Sequence, residues 1–239
     1  MHNLNDEEKT RLKSGIRAAF AIPFIDDVED FIWEAIFAYA KNIPLLDPLT
    51  STRSKRLFDV VDHQNKIGWS IKSAQTSKIH LPYEHEVVIQ RADIFKKANQ
   101  LGFDMLNINS PTTELGTALL RHWYIEKVNK DAMHQDVIDK RVCILLKSKN
   151  KRDYSYFEEE LVEYIDSELK WDWTDNTKTG LQGRRQKDNV LIFRWYPNQK
   201  QFFERFTFPD NSYRFNIEPE RLLSNDVVEL LLAKLEGRL

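Results

Sequence analysis

The stretch that most restricts the fold is LFDVVDHQNKIGWSIKSA, residues 57 to 74, where apolar residues recur two apart on both sides of a polar turn. That period belongs to β-structure, so Leu57–Asp62 and Ile67–Ala74 are expected to pair as an antiparallel hairpin around Gln64 and Asn65. Asp59 then faces Ser70, and Leu57 faces Lys72. Phe58 and Val60 share one face with Trp69 and Ile71, while Asp59 shares the other with Ser70 and, diagonally, Lys72. A slip of one residue would exchange the two faces, which makes the register a sharp expectation.

Around this hairpin the pattern predicts an alternation of elements. Residues 6–20 and 26–41 read as helices, the second with Val28, Phe31, Ile32, Ala35, Ile36 and Tyr39 at helical spacing and prolines at 44 and 48 beyond it. After the hairpin come a helix from about Glu86 to Gln100, ended by Gly102, and another from about Thr113 to Val128. A buried strand at Arg141–Lys147 and a helix around Tyr156–Leu169 follow. The segment DWTDNTKTGLQGRRQKDN reads as a long functional loop, and strands resume at Val190–Tyr196, Phe202–Phe208 and Ser212–Ile217 before a closing helix at Asp226–Leu235. The expected class is α/β, a central mixed β-sheet flanked by helices, in a single domain over 1–239. Its catalytic core spans about 26–150, and 171–239 is a recognition or dimerisation subregion.

Composition narrows the function. The 239 residues, 41% of them hydrophobic, can bury one substantial core, and no run approaches the roughly 20 apolar residues of a membrane helix. With a charged start, MHNLNDEEKTRLK, this predicts a cytoplasmic protein without a membrane partner. The single cysteine, Cys143, sits in an apolar run and excludes thiolate metal sites. The histidines lack paired ligand spacing. A net charge of −2 opposes non-specific coating of nucleic acid and leaves room for a local basic cleft.

Asp and Lys side by side on a hairpin suit phosphodiester hydrolysis. A carboxylate holds Mg²⁺, which clamps the phosphate, and an ammonium orients water and offsets developing charge. The segment resembles the PD-(D/E)xK nuclease core, the superfamily of most type II restriction endonucleases, over roughly residues 26–100. That core runs helix, strand, strand with Asp, strand with (D/E)xK, helix, strand. The resemblance implies that Asp59 binds metal, that Lys72 is catalytic and that Ser70 occupies the acidic slot of the motif. The carboxylate Ser70 cannot supply then comes from Glu86 (or, less favoured, Glu84) at the start of the next helix, as in restriction enzymes with Ser-x-Lys, or from Glu34 on the preceding helix.

The implied activity is a Mg²⁺-dependent, sequence-specific endonuclease acting on double-stranded DNA as a homodimer, since a two-fold protein matches a palindrome. Gln182, Arg184, Arg185 and Lys187 are expected in base reading, with Arg53, Lys55 and Arg56 on phosphates. Two alternatives stand beside it: a non-catalytic nucleic-acid-binding or interaction module on a degenerate nuclease fold, and a repair or junction-resolving nuclease.

Overall fold

Helix α1 (Asp6–Ala21) begins at a reciprocal cap, in which the Asn5 side chain accepts from the Glu8 amide and Glu8 accepts from the Asn5 amide, each at 2.8 Å. The computed structural model describes residues 4–44, 56–77, 79, 83–218 and 220–237. After α1 come helix α2 (Asp30–Lys41) and strands β1 (Val60–Asp62), β2 (Ile67–Thr76) and β3 (Tyr83–Arg91). A long helix follows, made of α3 (Thr112–Leu120), a π-helical stretch Arg121–Asn129 and α4 (Lys130–His134). Strands β4 (Asp139–Ser148), β5 (Asp153–Glu160), β6 (Leu169–Trp173), β7 (Leu181–Arg185), β8 (Leu191–Tyr196), β9 (Gln201–Phe208) and β10 (Tyr213–Asn216) lead to helix α5 (Ser224–Leu235).

The chain is mixed α/β, with two five-stranded sheets where one central sheet was expected. It divides into two compact units, residues 1–81, 138–160 and 211–239 in the first, and 82–137 and 161–210 in the second.

In the first unit the sheet order is β1-β2-β4-β5-β10, with β2 and β4 parallel and the other neighbours antiparallel. Trp69 and Ile71 of β2 share a face with Cys143 and Leu145 of β4, and Trp33 and Phe37 of α2 and Leu12 and Ile16 of α1 pack into the same core. The Phe37 and Trp69 rings meet edge-on at 5.5 Å. In this core lies a fully buried carboxylate, Glu158, which accepts from Trp69 Nε1 at 2.8 Å, Arg141 Nη1 at 2.9 Å and the Tyr156 hydroxyl, with Lys41 Nζ at 3.1 Å. Burial alone would raise its pKa; the Lys41 charge and then these hydrogen bonds outweigh burial and hold it below the ordinary value.

The second unit carries an all-antiparallel sheet in the order β3-β9-β8-β7-β6. Two glycines make room in it for Trp171. A Cβ at Gly116 of α3 would lie 2.3 Å from the indole, and one at Gly183 of β7 would lie 2.7 Å from it, so neither position admits a side chain without displacing the ring.

Three expectations are corrected here. Residues 83–91 form a strand instead of the beginning of a helix, because Val87 and Ile89 are buried and Val88 between them is exposed, a period of two. The expected helix Tyr156–Leu169 is replaced over 153–160 by β5, where Tyr154, Ser155, Tyr156 and Phe157 are all buried. The run Glu158–Glu160 looks helical in sequence, yet Lys41 and Arg141 neutralise its one fully buried member. Lastly, the long loop after Trp171 contains β7, paired on both sides.

Candidate functional site

The turn that joins β1 to β2 is built on Asp62, whose Oδ1 accepts from the amides of Gln64 and Asn65 at 3.0 Å each while Oδ2 accepts from Asn65 Nδ2 at 2.7 Å. Burial opposes ionisation of this carboxyl, but the Asn65 and Gln64 donors prevail and hold it below the ordinary range. Lys66 closes the turn with φ 55. The paired residues are Val60 with Trp69, Val61 with Gly68 and Asp62 with Ile67, which is the register expected from the alternation. Val60, Trp69 and Ile71 are buried in the core, so the apolar face points inward as predicted.

The other face carries the candidate chemistry. One residue before β1, the Asp59 amide donates to the Trp69 carbonyl at 2.9 Å, which extends the alignment and sets Asp59 beside Ser70. Its Oδ2 accepts from the Ile71 amide at 2.7 Å. The carboxylate is thus held against the peptide that links Ser70 to Lys72. Asp59 is exposed and Lys72 half-buried. Diagonal neighbours on one sheet face lie about 7–8 Å apart. Among the described residues Lys72 makes no salt bridge. Ser70 is 2% exposed, and its Oγ has no hydrogen-bond partner among the described residues.

The pairing of β2 with β4 and of β4 with β5 places a further acid on this face. Ser70 aligns with Val142, and Val142 with Glu159, so Glu159 stands in the same cross-strand row as Asp59 and Ser70, two strands from Ser70. It is half-buried, and burial pushes its carboxyl up to about 7. Sequence reasoning missed it because Tyr156–Leu169 read as a helix, where strand parity has no meaning.

The remaining candidates scatter. Glu34 is half-buried on α2, and α2 packs over the apolar face through Phe37 and Trp69, the face opposite Asp59 and Lys72. Also on α2, Asp30 reaches β2, where it accepts from Ser73 Oγ at 2.8 Å. Glu86 belongs to β3 in the second unit, where it pairs with Arg194 at 3.0 Å, and Glu84 pairs with Arg205. Arg53 and Lys55 lie outside the described residues; Arg56 is exposed.

Gln182, Arg184 and Arg185 are on β7 instead of a loop. Gln182 and Arg184 share a face, and Arg184 Nη2 donates to Gln182 Oε1 at 3.1 Å. Arg185 projects to the other side and closes the turn on Asp188 at 2.8 Å, with Lys187 exposed at the tip.

Among the described residues no three His, Cys, Asp or Glu side chains are placed to hold a metal together, and no helix is long and apolar enough to cross a membrane. On this face of the hairpin, among the described residues, Asp59 offers an exposed carboxylate beside the buried Ser70 hydroxyl. Such a set fits Mg²⁺, which keeps most of its waters and shares one or two carboxylates with substrate phosphate, and it does not fit a closed protein cage. No family model matches the sequence, and neither the curated proteins nor the solved structures contain a match to it.

Proposed function

We propose that the chain is a Mg²⁺-dependent endonuclease acting on double-stranded DNA, of the sequence-specific restriction type, with Asp59 and Lys72 at its centre. The observation that carries the reading is the Asp59 carboxylate fixed on the Ile71 amide, between Ser70 and Lys72 on one face of the hairpin. Element order supports it in part: α2, β1 and β2 precede a long helix and then the strand β4, as in the PD-(D/E)xK core, although β3 comes before the helix and among the described residues no strand lies between α2 and β1.

Bound Mg²⁺ would polarise the scissile phosphate and lower the pKa of a bound water. The protein's own part is positional and electrostatic. The Ile71 amide fixes one oxygen of Asp59 and so orients the carboxylate that would hold the ion. The Lys72 ammonium orients the attacking water and offsets charge that grows on the phosphate oxygens. Arg184 and Gln182, side by side on β7, suit guanine and adenine edges, and Arg53, Lys55 and Arg56 suit phosphates.

The test is Mg²⁺-dependent cleavage of plasmid DNA by the wild type and by Asp59→Ala and Lys72→Ala. Each substitution is expected to cost about 3 kcal/mol of barrier or more, with circular dichroism and Tm nearly unchanged. Cleavage by Asp59→Ala at the wild-type rate would remove the assignment. A second reading, a nucleic-acid-binding module without catalysis, is favoured by one observation, the buried Ser70 in the acidic slot of the motif. Sequence-specific binding by a wild type that never cuts, at any Mg²⁺ concentration, would decide for it.

A further inference from the structure

At one end of its sheet, the second unit joins two distant stretches of chain, residues 91–97 and 197–201. In the first, RADIFKK, Ala92 and Ile94 are buried and the Phe95 ring meets Trp195 edge-on at 5.4 Å, so the apolar residues serve the core. The Trp195 indole donates to the Ala92 carbonyl at 3.0 Å, and the Ala92 amide donates to the Lys200 carbonyl at 2.8 Å. Lys200, with φ 53, closes its own turn on the Pro197 carbonyl at 3.2 Å, and Arg91 pairs with Gln201 across β3 and β9. The backbone beneath the polar side chains is thus fixed from both stretches.

Those side chains are unbalanced in charge. The two stretches hold Arg91, Lys96, Lys97 and Lys200 against a single carboxylate, Asp93. Asp93 accepts from Lys200 Nζ at 2.5 Å, and this bond, outweighing burial, with the nearby Lys96 charge, holds the carboxyl below its ordinary value. Lys97 donates to His122 Nε2 at 2.9 Å, and burial and then the Lys97 charge push that imidazole down to about 4. Its partner is therefore neutral at pH 7, and the Lys97 charge is not cancelled. Arg91 and Lys96 are exposed and make no salt bridge among the described residues. Elsewhere in this unit cations have their own acids, as Arg194 has Glu86, Arg205 has Glu84 and Lys127 has Asp131. No large apolar side chain in the two stretches is exposed, which disfavours a lipid surface, where an apolar face must be buried. The exposed neighbours are amides, Gln100, Asn198 and Gln199, donors that suit phosphate and sugar oxygens.

We infer that Arg91, Lys96, Lys97 and Lys200 form a phosphate-contact surface for duplex DNA, which grips the backbone without reading bases, and that Asp93 moderates its grip. The inference rests on the DNA-binding part of the nuclease reading and not on Asp59 or Lys72.

Fluorescence anisotropy of the full chain with a labelled duplex of random sequence, in Ca²⁺ and over a range of salt, tests it. Lys96→Gln and Lys200→Gln are each expected to lower the slope of log affinity against log salt by about one, and the double variant by about two. Lys130→Gln makes the same charge change at an exposed lysine that has its own carboxylate, Glu126, and is expected to leave the slope unchanged. Asp93→Asn, which keeps an oxygen for the Lys96 amide, is expected to tighten binding several-fold. Should Lys200→Gln or Asp93→Asn alter the circular dichroism, Lys96→Gln decides, since that side chain has no salt bridge to lose. Unchanged slopes in the Lys96 and Lys200 variants, or an equal loss in Lys130→Gln, would overturn the inference. So would a wild type that binds no duplex, or one that uses Lys96 and Lys200 to bind phosphatidylserine vesicles and not DNA. A wild type that cuts DNA while these variants bind like it would remove the surface and leave the nuclease reading. Binding through the surface without any cleavage would remove only the nuclease reading.

Discussion

At the scale of single residues, burial decides what each acid of the first unit does. Glu158 and Glu159 are adjacent in sequence and point to opposite faces of β5. Glu158 meets Lys41 and Arg141 and stays ionised, whereas Glu159 is held near neutrality by burial at about 7. The two therefore affect stability in opposite senses. A carboxyl whose folded pKa is raised binds its proton more tightly in the native state, so its contribution is fully present below the unfolded value of about 4.5. It is lost as pH rises from there through about 7. Glu159→Gln should accordingly leave stability almost unchanged at pH 4.5 and raise it by about 1–3 kcal/mol at pH 8, the full shift being discounted for partial exposure. Urea unfolding at the two pH values measures this, and an equal effect at both would mean that Glu159 does not titrate in that window.

At the scale of elements, the hairpin was readable, as were β4, β8, β9 and β10, whereas β3, β5, β6 and β7 were not. Leu57–Ala74 carries its register in its own alternation, and the observed pairs match that register. In β7 the sequence LQGRR lacks a strong strand signal, and the segment is held in line by β6 and β8 on either side, pairing that only the distant chain supplies. That pairing separates two arginines that look equivalent in sequence. Arg184 lies beside Gln182 on one face, whereas Arg185 braces the turn through Asp188, whose hydrogen bond raises the guanidinium pKa above its ordinary value. Arg184→Ala is expected to reduce the margin of a cognate duplex over random DNA by about 1–3 kcal/mol, and Arg185→Ala to leave that margin nearly intact. Binding titrations in Ca²⁺ give both numbers. A larger loss from Arg185 would place base reading on the other face of the strand.

On the scale of the whole molecule, the first unit is assembled from three separated stretches of chain, and the Glu158 cluster joins the first two of them. Lys41 comes from α2, Trp69 from β2, Arg141 from β4 and Glu158 from β5. A charge buried so completely is tolerable only while its partners remain, and removal of one member strands the others. Glu158→Ala should therefore destabilise the first unit by about 3–5 kcal/mol, leaving Lys41 and Arg141 without their buried anion. The pH dependence has the opposite sign to that of Glu159. The stabilisation is present above the ordinary glutamate range and lost as pH falls through the depressed folded-state pKa. Thermal melts of wild type and variant from pH 7 downward should converge as that carboxylate is protonated. A gap that stays constant with pH would show that packing, and not charge, carries the effect.

The sequence alone determined the features written in short-range periodicity: helices α1, α2 and α5, the β1–β2 register, the inward Trp69 and Ile71 and the outward Asp59. Each depends on residues a few positions apart, which bury or expose the same face wherever the element is placed. Only the tertiary structure decided that Glu86 lies on a strand beside Arg194, that β5 replaces a helix and that Glu159 shares the Asp59 face. Those outcomes turn on pairing between strands distant in the chain, where partner strands and buried counter-charges outweigh local propensity, and no local pattern in the sequence records which strands will meet.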